Sequence, residues 1–135
     1  MSKILTFGVF DFFHIGHLRL FKQCKKYADY LIVAVQKDDS ILKFKPNARK
    51  LYSLEERMEM VESIGIVNEV LAYDAITPET LSKIDFDILA LGEDHKGERF
   101  NLCIKWCDEH NKKVVRLKRT EGICSSDIKS GILKE

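Results

Sequence analysis

Two of the chain's four histidines stand three residues apart, in the string Gly8-Val9-Phe10-Asp11-Phe12-Phe13-His14-Ile15-Gly16-His17. A short apolar run leads into it and a helical pattern leads out. At the start of a helix, residues three apart project to the same side. Gly16 places no side chain between the two rings, so a ligand can come close to the backbone. The helix start adds unsatisfied N–H groups and the positive end of the peptide dipoles. Those features suit a phosphate group. An imidazole can donate to a phosphate oxygen and stabilise charge that develops there in a transition state. Asp11 could cap the turn or orient a histidine. The plain alternative is two surface histidines at a helix cap, and their clustering favours function over it.

A second constellation lies near the other end, in Arg119-Thr120-Glu121-Gly122-Ile123-Cys124-Ser125-Ser126-Asp127. Gly122 permits a tight turn. Ser125, Ser126 and Asp127 are all N-cap types, so a helix starts here. Arg119 supplies a permanent cation with a planar donor fork. This is a second helix start that can grip phosphate. Three lesser signals lie between. Lys43 and Lys45 sit in a lysine-rich loop and could clamp phosphates, whereas Arg49 and Lys50 read as solvated charges. Arg57 falls in the first turns of a helix, where a cation is poorly placed in the dipole field. A ligand contact or a salt bridge would account for it. Gly92-Glu93-Asp94-His95-Lys96-Gly97 reads equally as a plain turn or as a ligand loop with Asp94 as the contact.

These residues need a frame. Ile4–Val9 reads as a strand, Leu18–Tyr27 as a helix, and Tyr30–Val35 as a strand apolar on both faces. A polar loop covers 36–52. Ser53 with Glu56 three residues on is a capping box, opening a helix to about Ile64. Val67–Ala72 is a strand. Thr77-Pro78 opens a short helix, with Thr77 as N-cap. Asp87–Leu91 is a strand, Glu98–His110 a helix, Lys113–Leu117 a fifth strand and Ser125–Leu133 a closing helix. Strands alternating with helices predict an α/β fold built on a parallel sheet. In such sheets ligands bind outside the carboxyl ends of the strands, where strand order reverses. The loops carrying both constellations lie at those ends.

Length and composition narrow the classes. A chain of 135 residues is expected to form one domain, 1–135. No repeat or low-complexity segment interrupts it. Apolar runs are far shorter than the ~20 residues of a spanning helix, and the first residues do not read as a signal peptide. No membrane contact and a cytoplasmic location are expected. Net charge is +1, which offers no basic excess for nucleic acid. The charge is uneven, however: +6 over residues 1–52, −9 over 53–98 and +4 over 112–135. If the basic ends meet in space, they form a site for a small polyanion. Cys24, Cys103, Cys107 and Cys124 show no C-x-x-C spacing and read as free thiols. No metal site is expected; His110 reads as a solvated helix end, and Trp106 as core or subunit interface. A nicotinamide dehydrogenase would need G-x-G-x-x-G after the first strand, which is absent.

The string G-V-F-D-F-F-H-I-G-H resembles the G-x-F-D-x-x-H-x-G-H signature of the HxGH nucleotidylyltransferases. R-T-E-G-I-C-S-S resembles the R-T-x-G-I-S-T-[TS] signature of their cytidylyltransferase branch, with Cys124 where serine is usual and Ser125 where threonine is usual. K-F-K, E-E-R and G-E-D resemble the family's K-x-K loop, E-x-R helix and G-x-D segment. His95 falls where the glycerol-phosphate branch often has a bulky aromatic residue. The resemblance covers nearly the whole chain. It implies a Rossmann-like five-stranded parallel sheet with helices on both faces. It implies transfer of CMP from CTP to a small phosphorylated alcohol with release of pyrophosphate, glycerol 3-phosphate leading by size. It implies His14, His17, Lys45 and Arg119 as catalytic groups. It implies Val9, Phe10, Asp11, Gly16, Lys43, Arg57, Asp94, Thr120, Gly122, Ile123, Ser125 and Ser126 as substrate and nucleotide contacts. Mg²⁺ would ride on the CTP phosphates, because no compact carboxylate cluster is visible, and the protein would be a homodimer. The rivals are an ATP-dependent adenylyltransferase acting on a sugar- or flavin-type phosphate, a cytidylyltransferase with phosphoethanolamine or a polyol phosphate, and a non-catalytic nucleotide sensor.

Overall fold

Alternation of apolar residues along four strands sends one set of side chains to each side of a sheet. Ile4, Leu31, Val33, Val35, Ile88, Ala90, Val115 and Leu117 share one core. Leu5, Phe7, Ile32, Ala34, Leu89 and Leu91 share another. A sheet buried on both faces needs helices on both, which is the parallel α/β arrangement. The computed structural model describes residues 2–10, 15–38, 52–93 and 95–118. The elements are β1 (Lys3–Gly8), α1 (Ile15–Tyr27), β2 (Tyr30–Gln36), α2 (Leu54–Glu62), β3 (Glu69–Tyr73), α3 (Pro78–Ser82), β4 (Ile88–Gly92), α4 (Glu98–Glu109) and β5 (Lys113–Leu117). Strand order is β3-β2-β1-β4-β5, with all four pairings parallel. Phe21 and Cys24 of α1 and Val61 of α2 fill the first core. Leu81 of α3 and Phe100, Cys103 and Cys107 of α4 fill the second.

Order reverses between β1 and β4, the topological switch point. The two neighbours of β1 hold it very differently. β2 runs beside it from Lys3↔Tyr30 to Gly8↔Val35. β4 meets it only at Ile4↔Ile88 and Leu5↔Leu89. Thr6–Gly8 and Ala90–Gly92 lie beyond that register, at the carboxyl end.

Local signals explain the helix starts. Ser53 Oγ accepts from the Glu56 N–H at 3.2 Å, and Glu56 Oε1 accepts from the Ser53 N–H at 3.0 Å, the expected capping box. Thr77 Oγ1 accepts from the Thr80 N–H at 3.2 Å, with Pro78 at the first helical position. Helix α1 begins three residues earlier than its apolar spacing suggests, so Gly16 and His17 lie inside its first turn. β3 begins at Glu69 rather than Val67, because the Val67 N–H is taken by the Ile64 carbonyl in the turn that ends α2. The closing helix expected over 125–133 lies outside the described residues.

Cys24, Cys103 and Cys107 are buried free thiols. Burial pushes the Cys24 thiol up to about 12 and Cys107 up to about 11. Burial also raises Cys103. The thiolate is the reactive form, so these three should ignore a disulfide reagent at neutral pH. In a thiol titration the reactive count should rise by three when the protein is unfolded.

Candidate functional site

At the carboxyl ends of β1, β2 and β3 and beside the β4–α4 connection lies an open cleft of about 330 Å³. Its floor is Phe7, Gly8 and Val9; Tyr73 and Ile76 form one wall, and His95, Arg99 and Phe100 form the other. This is where a parallel sheet places its ligand, and the size matches small-molecule sites. Four of the lining residues, Phe7, Tyr73, His95 and Phe100, are aromatic, and Arg99 supplies one guanidinium. That cation lies 4.9 Å from the Phe100 ring centre. Burial pushes the Tyr73 hydroxyl up, and the positive charges of Arg99 and Arg57 partly offset it.

The turn that leaves β1 is set by three aromatic rings. Phe10 has φ of 56°, a left-handed conformation that costs about 1–2 kcal/mol for a residue with Cβ. Packing holds it there: Phe10 is 4% exposed, and its ring centre lies 5.2 Å from that of His17 and 5.4 Å from that of Phe21. The wedge fixes how β1 hands the chain to α1, and it backs the His17 imidazole edge-on. Gly8 packs beside it. A Cβ at Gly8 would stand 3.1 Å from Phe10 Cζ, so the buried ring would have to give by a few tenths of an ångström. Gly8→Ala should destabilise the fold by about 1–3 kcal/mol, read as a lower urea midpoint with an unchanged slope.

Arg57 is placed differently from the substrate contact implied by resemblance. Its side chain is 0% exposed. Nη1 donates to the carbonyls of Val9 at 2.8 Å and Gln36 at 2.9 Å, and Nη2 pairs with Asp38. The salt-bridge alternative is what the structure contains. Arg57 binds the ends of β1 and β2 to α2 from within and has no surface left for a ligand. Its Nε is buried without a hydrogen-bond partner. The dipole argument detected an unusual arginine but did not say which way it pointed.

Of the other sequence candidates, Val9 lines the cleft. Phe10 contributes backbone shape, with its ring turned into the core. Gly16 and His17 occupy the first turn of α1. His14, Asp11, Lys43, Lys45, Asp94, Arg119, Thr120, Gly122, Ile123, Ser125 and Ser126 lie outside the described residues, as does Cys124. His110 is exposed at the end of α4, its Nδ1 2.8 Å from the Trp106 carbonyl. Trp106 packs half-buried against the second core. Among the described residues, no group of three His, Cys, Asp or Glu side chains is placed to hold a metal ion. No helix there is long and apolar enough to cross a membrane.

Two residues that spacing did not single out shape the turn after β4. His95 Nδ1 accepts from the Gly92 N–H at 2.9 Å. Arg116 of β5 donates from Nη1 to the carbonyls of Gly92 at 3.0 Å and His95 at 2.6 Å. A signal for Arg116 was present, since it interrupts the apolar run Val114-Val115-Arg116-Leu117.

Comparison with known proteins agrees with this geometry. The cytidylyltransferase-like family model matches residues 5–131. The glycerol-3-phosphate cytidylyltransferase of Bacillus spizizenii is 34% identical over 96% of this chain and 95% of its own. The enzyme of the same name from Bacillus subtilis is 34% identical over 98% of both chains. A bifunctional protein HldE from Haemophilus ducreyi is 33% identical over 93% of this chain, which spans 26% of that protein. In fold, the chain is similar to a lipopolysaccharide core biosynthesis protein from Thermoplasma volcanium, with a TM-score of 0.76 at 24% identity over 90% of this chain and 99% of that one. A family match over nearly the full length, with a small-molecule cleft at the carboxyl ends of the strands, makes this chain an enzyme of the cytidylyltransferase-like family.

Proposed function

We propose that the protein transfers a cytidylyl group from CTP to a small phosphorylated alcohol, with glycerol 3-phosphate as acceptor and CDP-glycerol as product. The observation that carries this reading is the likeness, over nearly the whole chain, to relatives named glycerol-3-phosphate cytidylyltransferase, in a chain with a small-molecule cleft at its strand ends. In the reaction, an acceptor phosphate oxygen attacks the α-phosphorus of CTP. The bond from that phosphorus to the bridging α–β oxygen breaks, and pyrophosphate leaves with the electron pair. A phosphate monoester is already anionic near neutral pH, so positioning and electrostatics dominate and no general base is needed.

His14 and His17 donate to α- and β-phosphate oxygens. Lys43 and Lys45 hold the acceptor and triphosphate. Arg119, Thr120, Gly122, Ile123, Ser125 and Ser126 grip the nucleotide from the opposite helix start, and Asp94 meets its ribose or base. Mg²⁺ enters as part of the substrate, carried on the triphosphate, and neutralises its charge. The protein works as a homodimer in the cytoplasm, where a reducing poise keeps its thiols free.

The test is pyrophosphate release from purified protein with CTP and Mg²⁺ against glycerol 3-phosphate, other polyol phosphates and phosphoethanolamine, with ATP as the parallel donor. CTP-dependent release with glycerol 3-phosphate is the expected result. Release with another acceptor would correct the substrate. Release only with ATP would overturn the donor assignment.

A further inference from the structure

The turn after β4 is held at three points, and His95 is central to each. Its ring nitrogen Nδ1 accepts the Gly92 N–H at 2.9 Å, so the neutral ring must carry its proton on Nε2. Its ring stacks on Phe7 at 4.8 Å between centres and 22° between planes, and on Phe100 at 5.0 Å and 27°. Its carbonyl accepts from Arg116, which also binds the Gly92 carbonyl. The His95 N–H closes the turn on the Gly92 carbonyl at 3.2 Å. His95 is thus held to β1 and α4 by its ring, Gly92 and His95 to β5 by a guanidinium, and the two to each other by an imidazole nitrogen.

An aromatic hydrocarbon at 95 could supply the stack but not the acceptor. We propose that His95, in its neutral form, is a positioning residue that sets the turn after β4 against CTP, and that protonating its ring releases the turn. This rests on the reading that the turn carries the nucleotide contact Asp94. A charged imidazole has N–H at both ring nitrogens. Its Nδ1–H would then face the Gly92 N–H, donor against donor. Among the described residues, the charged and titratable groups around the ring include Arg116 from β5, Arg99 from α4 over Phe100, and Tyr73 from β3, edge-on to Phe7 at 6.0 Å. Glu93 and Lys96 flank it in the same segment.

The sign follows. With the ring neutral the lock is whole and KM for CTP is flat with pH. Where acid protonates the ring, KM for CTP should rise while kcat at saturating CTP changes little. Three variants and two spectroscopic readings test this on the intact protein. His95→Phe should raise KM for CTP by about five- to tenfold, the scale of one lost hydrogen bond. It should hold kcat within about twofold on the same scale and lose the acid rise. His95→Asn, whose Oδ1 takes the place of Nδ1, should restore a low KM that no longer rises at acid pH. Arg116→Gln should raise KM for CTP without altering its pH dependence. Nitrogen NMR of wild type at pH 8 should show the Nε2–H tautomer, and Gly92 amide exchange should quicken in His95→Phe. An Nδ1–H tautomer, or wild-type KM together with unchanged Gly92 exchange in His95→Phe, would overturn the proposal. A protein with no CTP turnover would sink the function reading alone, because the tautomer and the amide still decide the lock.

Discussion

Replacing His17 with alanine should lower kcat for cytidylyl transfer by about 10²–10³-fold, the scale of one lost donor to a charge that develops in the transition state. KM for CTP should move far less. The ring sits in the first turn of α1, where backbone N–H groups and the dipole already favour phosphate in the ground state. What the imidazole adds is realised mainly as negative charge shifts toward the leaving pyrophosphate. Truncation should leave the fold intact, because Phe10 keeps Phe21 as a packing partner and the core remains filled. A thermal melt within a few degrees of wild type, beside the loss of turnover, would confirm a chemical role. A large fall in Tm with turnover in proportion to folded protein would make His17 a structural residue. His14→Ala should behave alike, since the paired rings act on the same phosphates in the proposed reaction.

The second large effect is on stability, and it falls on the more exposed member of an ion pair. The Arg57 guanidinium is 0% exposed while the Asp38 side chain is 32% exposed. Asp38→Asn removes the only countercharge that Arg57 has among the described residues and strands a cation inside the protein. Breaking a buried pair this way costs about 3–5 kcal/mol, so Tm should drop by roughly 10–20 °C. Arg57→Met removes the cation instead. The carboxylate can then turn to water, and the loss should be nearer about 1–3 kcal/mol, that of charge-assisted hydrogen bonds. Equilibrium unfolding of both variants ranks them. The reverse order would show that the two carbonyl contacts, not charge pairing, carry the interaction. Arg57→Met also frees the Val9 carbonyl and loosens the end of β1, so its activity should fall in the fraction that remains folded.

Much of this was legible in the residues. An apolar run without alternation identified β2 as a strand covered on both faces. Ser53-x-x-Glu56 and Thr77-Pro78 marked helix starts within a residue, because a cap is a local bond between neighbours. Strand order was not legible as such, since pairing β1 with both β2 and β4 is decided by packing across the chain. The site divided in the same manner. His17 and Gly16 were visible from type and spacing. Arg57 was noticed for its dipole conflict, but only the folded chain shows its guanidinium between Val9, Gln36 and Asp38. Arg116 and the His95 lock depend on β5 lying beside β4, a contact that no spacing within either strand encodes.

The seam at the switch point has a consequence for how such a protein can change. β1 and β4 share two registered pairs and then part. β1, β2 and β3 lie on one side of that seam, β4 and β5 on the other. With only two registered pairs across it, one bank can be reshaped by substitution without dragging the other with it.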